Sequence, residues 1–277
     1  MKNKLKYIIP IVVFVIIIFA IYSLLFGKLF PYSPVIIGFS ANETTNAVIY
    51  IQNGAKFNDF DKVNSFIPPI EEFFNLRYRD KPRIFIFKDK QNYFQRSMAK
   101  ARFCSFYNGD IVIAPWALEE ANRGELSLEI YLTHELTHSL IHQQSNLIMA
   151  TKFPKWLHEG TAMYFANQMG TTLYPSKQDT YQYIRNGNFL HPKYYQTKQG
   201  KRIKLYTENR IGFIYSEFAC IVDALIDQYG KDKFILYIKT LIKNKNHDRI
   251  FKNVYGIEFN VFIENFKKIV VTKNTTA

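Results

Sequence analysis

The stretch YLTHELTHSLIHQQ, residues 131–144, places His134, Glu135 and His138 in the spacing H-E-x-x-H. Leu126, Ile130, Leu136, Leu140 and Ile141 recur around it at three- and four-residue intervals, which predicts a helix with one buried stripe. On a helix, residues i and i+4 share a face about 6 Å apart, so both imidazoles can point at one ion. Tetrahedral zinc accepts imidazole nitrogens at about 2.0–2.1 Å. Glu135 is turned about 100° from His134 around the helix. From there it can reach a water on the metal and act as its base without being a ligand. The plain alternative is a solvated polar face that happens to hold two histidines.

The next polar element bears on that choice, because a catalytic zinc needs a third protein ligand and one open position. FPKWLHEGTAMYFANQM, from residue 153, restarts a helix after Pro154 and carries Glu159. Packed against the first helix, it could bring Glu159 to the ion. His142 and His158 read as residues around the site or on the surface, and His191 and His247 as loop histidines. Thr137, Thr161 and Trp156 read as packing residues.

HELTH followed by WLHEGTAMY resembles the gluzincin metallopeptidases, which pair H-E-x-x-H with a glutamate on a following helix. The string W-L-x-E-G-x-A-x-Y is similar to the aminopeptidase N family and to smaller domains called peptidase MA-like; thermolysin-type enzymes share the ligand set. The match covers residues 126–166 and extends compatibly from the strand at 110–114 to about residue 235. The resemblance implies one Zn2+ per chain, with His134, His138 and Glu159 as ligands and Glu135 as catalytic base. It also implies an oxyanion-stabilising tyrosine in a Y-x-K-G-like string. IYSEFA offers Tyr215, with Glu217 and Phe218 where that string has Lys and Gly. The amine-binding G-x-M-E-N string of the aminopeptidases is absent, so an endopeptidase-like cleft is expected. The matching region here is NGDIVIAP, read as an edge strand whose Ile111, Val112, Ile113 and Ala114 hold an extended peptide.

The N-terminus reads separately. Residues 7–26, YIIPIVVFVIIIFAIYSLLF, carry no charge; at about 1.5 Å per residue the run spans about 30 Å, the thickness of a bilayer core. A cleaved signal peptide would have a shorter apolar run ending in small residues, so an uncleaved anchor is the preferred reading. Lys2, Lys4 and Lys6 precede the run and only Lys28 closely follows it, which keeps the N-terminus cytoplasmic and the body outside.

With 277 residues, 48% of them hydrophobic and 17% aromatic, the chain can build one sizeable core. The net charge of +13 is spread along the sequence; it reads as a basic surface near an anionic membrane, and no nucleic-acid-binding motif accompanies it. Cys104 and Cys220 are too few for a disulfide framework; one bridge and two buried thiols both remain open.

The element order, strands with helices and then nearly all helices, gives an α+β fold class, and the resemblance implies that it is zincin-like. Its expected parts are a cytoplasmic N-terminus at 1–6, a transmembrane anchor at 7–26, a stalk at 27–46 and a gluzincin-like peptidase domain at 47–277. The expected activity is hydrolysis of peptide or protein substrates through a zinc-bound water activated by Glu135. Two alternatives are a degenerate peptidase-like fold serving envelope binding or assembly, and a zinc hydrolase of a non-peptide bond.

Overall fold

A largely apolar helix forms the first element of the computed structural model, which describes residues 2–272. Met1 and residues 273–277, the outer ends of the expected N-terminal tail and peptidase domain, lie outside the described residues. Helix α1 is Lys2–Leu25. Its segment Ile8–Leu25, of mean hydropathy 3.1, is long and apolar enough to cross a membrane, and none of it is buried against the rest of the chain.

Residues 27–46, expected as a stalk, are instead built into the body. Phe30 opens a short 3-10 turn, Phe30–Tyr32, and is fully buried. Strand β1 (Phe39–Glu43) pairs antiparallel with β2 (Val48–Gln52). The prolines and small residues of this stretch suit a linker, but Phe30 and Phe39 stack face to face at 5.1 Å over the sheet, and their burial recruits the segment.

Helix α2 (Phe60–Phe74) runs through Pro68 and Pro69, residues that break or kink most helices. Proline removes the bond to the carbonyl four residues back. For Pro68 that is the Asn64 carbonyl, and the Asn46 side-chain amide occupies it at 3.1 Å. Strand β3 (Arg83–Ile86), helix α3 (Lys90–Arg96), strand β4 (Phe103–Ser105) and strand β5 (Ile111–Ile113) complete the sheet region. The sheet order is β1-β2-β3-β5-β4, with β2, β3 and β5 parallel and an antiparallel strand at each edge.

This order corrects the expected edge strand. β5 lies between β3 and β4, and Ile111, Val112, Ile113 and Ala114 are fully buried. Apolar on both faces, they suit an interior strand and cannot line a cleft. The edge next to β5 belongs to β4, and the opposite edge to β1.

The remaining elements are helical: α4 (Pro115–Asn122), α5 (Leu128–Gln144), α6 (Leu147–Lys152), α7 (Lys155–Phe165), α8 (Lys177–Arg185), α9 (Lys198–Arg202), α10 (Arg210–Tyr229), α11 (Lys231–Lys243), α12 (His247–Tyr255) and α13 (Phe259–Thr272). Helix α5 packs between the sheet and α7, and α7 packs along α10. Trp156 locks the far side, stacked on Phe259 at 5.1 Å. The result is a mixed α+β fold with one five-stranded sheet.

Candidate metal centre and cleft

Helix α5 starts where Ser127 caps it, its hydroxyl accepting from the Ile130 N–H. It carries His134 and His138 on one buried face, each only 6% exposed. Helix α7 begins directly after Pro154, whose fixed φ favours a helix start. One turn in, it presents Glu159. Glu159 Oε2 lies 3.5 Å from His134 Nε2 and 3.5 Å from His138 Nε2, and one ligand atom from each of the three residues lies within 4.8 Å of the others. Two ligands at about 2.0–2.1 Å on a tetrahedral zinc stand about 3.3–3.4 Å apart. Both separations from Glu159 are close to that value, and two imidazoles with a carboxylate are a donor set that zinc takes.

The electrostatics agree. Burial pushes the Glu159 carboxyl up, but hydrogen bonding and charge from His134 and His138 overcome this and hold it well below the usual carboxylate range. Burial lowers His134, and Glu159 and Glu135 together leave it raised. A buried anion between two buried imidazoles is stable only when paired or coordinated. His134 Nδ1 is buried without a hydrogen-bond partner, as is Gln168 Oε1. Gln168 interacts with His134 and is itself buried, so it can serve as the acceptor that orients the ring.

Glu135 is held from the sheet side. Its Oε2 accepts the Ser105 backbone N–H at 2.7 Å. The β4–β5 ladder explains why that N–H is available. The Ala114 N–H donates to the Arg102 carbonyl and the Phe106 N–H to the Asp110 carbonyl. In an antiparallel pair, alternate residues face inward, so Phe103 and Ser105 direct their backbone groups to the free edge. The hairpin that sets this register turns at Gly109, which has φ +88° and no room for a side chain against Gln143. Ser139 of α5 donates to the Gly109 carbonyl at 2.5 Å, tying the turn to the helix that bears the histidines.

These groups line one cavity of about 360 Å³. Tyr131, Leu173, Tyr174 and Tyr215 form one wall; Tyr107, His142, Lys155 and His158 form another. Tyr215 projects from α10, and the Tyr195 hydroxyl donates to its oxygen at 3.2 Å, leaving the Tyr215 proton for another acceptor. Burial, then the charge of Glu159, raises the Tyr215 hydroxyl, so it stays protonated. His158 stacks on His138 with centroids 3.8 Å apart and His142 on His158 at 4.7 Å. Burial and the neighbouring His138 pull His142 down to about 3, so it is a neutral ring supporting the site. Cys104 lines the cavity while Cys220 is fully buried beyond it, and both are free thiols.

The structure thus brings His134, Glu135, His138, Glu159 and Tyr215 into one cleft and keeps Ile111–Ala114 out of it. Sequence reasoning missed Ser105, Gln168 and Tyr195. Each acts through a contact distant along the chain, and none stands in a motif.

A family model described as the Peptidase MA superfamily matches residues 111–272. The match begins at β5, contains α5, α7 and α10, and leaves out β1–β4 and α1. A comparison with curated proteins returns no match.

Proposed function

The chain belongs to the Peptidase MA superfamily, and from that premise we propose that it is a membrane-anchored, zinc-dependent peptidase whose catalytic domain faces away from the cytoplasm. The observation that carries this reading is the spacing of three donors, His134, His138 and Glu159, beside a carboxylate, Glu135, that is held by a backbone N–H. A site built only to bind metal has no use for that fourth group.

His134, His138 and Glu159 would hold the ion. Zinc bound there would supply Lewis-acid polarisation of the scissile carbonyl and would bring the pKa of water toward about 7. Glu135 takes the proton of the attacking water and returns it to the departing amine. The Ser105 N–H holds Oε2 of that carboxylate and leaves Oε1 for the water. Tyr215 donates its hydrogen bond to the oxyanion as the carbonyl becomes tetrahedral. An extended substrate adds to the free edge of β4, where the Phe103 N–H and carbonyl face outward, in the manner of β-augmentation. β4 thus takes the part expected of residues 111–114.

Helix α1 carries the anchor, Ile8–Leu25, in this reading, and the lysines at the start of the helix orient the body outward. Removing the metal tests the activity. Full-length protein in detergent micelles should cleave a mixed peptide pool, lose cleavage to a zinc chelator and regain it on addition of zinc. Cleavage that survives complete metal removal would sink the proposal.

A further inference from the structure

We propose that the face of the domain around the foot of α1 is a lipid-contacting collar. Exposed Phe26, Leu29, Val35, Ile37, Phe94 and Met98 seat in the interfacial layer of the bilayer that α1 crosses. The inference rests on the reading of α1 as a membrane span.

The joint between α1 and the domain is built around one arginine. A helix ends with carbonyls that lack intrahelical partners. Arg96 Nη2 donates to the Leu25 carbonyl at the end of α1 at 2.9 Å and to the Ile37 carbonyl at 2.9 Å. Its guanidinium lies 3.8 Å over the Phe30 ring and 5.0 Å from that of Phe39. Arg96 is buried and has no carboxylate partner among the described residues. A buried cation is costly unless its surroundings need it. Here it meets the negative end of a helix and two ring faces. Phe30 in turn packs edge-on against Phe85 of the central strand β3 at 5.4 Å. The span is therefore fixed to the sheet, not hung from it by a loose segment.

The six apolar side chains gather at this joint. Each lies within two residues of Arg96 or of a group that Arg96 touches, and each is between 37% and 53% exposed. Elsewhere on the domain, among the described residues, exposed large apolar side chains are scattered, as at Tyr206 and Leu236, or paired, as at Leu147 and Ile148. Apolar surface left in water costs about 25 cal/mol per Å², and a contiguous patch marks an interaction surface. What covers this one follows from continuity: the last turn of α1 rises from the bilayer into its middle. Exposed Lys28, Lys90 and Lys100 border it, which suits anionic headgroups. The collar lies outside residues 111–272 and so belongs to the part of the chain that the family model does not match. Seated this way, the domain holds a fixed tilt, and the cleft serves peptide segments at one height above the membrane.

The test places single nitroxide labels on the full chain in nanodiscs of mixed zwitterionic and anionic lipid. The background is Cys104→Ser with Cys220→Ser, and the label sites are Val15→Cys, Val35→Cys, Met98→Cys and Tyr206→Cys. Power saturation compares molecular oxygen, which concentrates in lipid, with a water-soluble nickel chelate. Oxygen is expected to dominate at 15, 35 and 98, and the nickel chelate at 206, which is 77% exposed. Nickel dominance at 35 and 98 with oxygen dominance at 15 overturns the collar and leaves the anchor standing. Nickel dominance at 15 as well means that the anchor reading itself has failed. Protection of 35 and 98 from both reagents means that protein, a second copy or another partner, covers the face, and the lipid proposal falls.

Discussion

Gly160→Ala isolates the packing that delivers Glu159 to the site. Gly160 follows Glu159 on α7, where α7 crosses α10. A Cβ at Gly160 would stand 2.6 Å from the Phe218 carbonyl oxygen and 2.8 Å from its carbon. Both are backbone atoms and cannot swing aside. The nearer is about 0.8 Å short of the 3.4 Å at which ordinary contact begins, so one helix must move. Alanine favours the helix over glycine by about 0.5–1 kcal/mol, whereas overpacking of this kind costs about 1–3 kcal/mol. The net loss should be about 0–2.5 kcal/mol, at most several degrees in Tm at about 2–4 °C per kcal/mol for a domain of this size. Metal sites tolerate errors of only about 0.2 Å in ligand distance. A shift of several tenths of an ångström at Glu159 should therefore weaken zinc binding more than it weakens the fold. Competitive titration with a fluorescent chelator reads the first effect and calorimetry the second. A variant with parental zinc affinity and parental Tm would refute the claim that the α7–α10 approach sets the third donor.

Three further substitutions separate the roles of other residues. Tyr215→Phe should keep zinc and KM close to parental while kcat falls about 10²–10³-fold, the usual loss for one oxyanion donor; steady-state kinetics on a cleaved peptide decides it. Gln168→Leu should reduce zinc affinity about 10–100-fold, the usual effect of removing the acceptor behind a histidine ligand, and equilibrium dialysis reads the change. Glu217 is a fully buried carboxyl whose two oxygens accept the Leu190 N–H at 3.1 and 3.2 Å. Burial raises its pKa well above the ordinary value, against the opposing Leu190 N–H and the charge of Lys267. Its stabilising proton is fully present below the unfolded value of about 4.3 and is lost as pH rises through the folded value. The parent should therefore lose stability relative to Glu217→Gln as pH increases, a divergence visible in denaturant midpoints; parallel pH profiles would contradict it.

The candidate site was legible where it is local. His134, Glu135 and His138 are fixed by helical spacing, and Pro154 marks the start of the helix that carries Glu159. Strand order is not local, and there the reading failed. Ile111–Ala114 are apolar on both faces, itself the signature of an interior strand, while the true edge, Phe103–Ser105, is three residues long and shows no alternation. Residues 27–46 have the composition of a linker, and only the packing of Phe30 and Phe39 against the sheet draws them into the body. Pro68 and Pro69 look like a break until Asn46 satisfies the carbonyl that Pro68 frees. In each case a partner distant in sequence overrides a sound local preference.

The most direct test of the central claim compares the full-length protein with Glu135→Gln, both loaded with zinc to equal stoichiometry, against a diverse peptide library read by mass spectrometry. Loss of the general base should lower cleavage about 10²–10⁴-fold while metal content stays the same. Cleavage by both proteins at one rate, or by neither with zinc bound, would contradict a peptidase that works through Glu135.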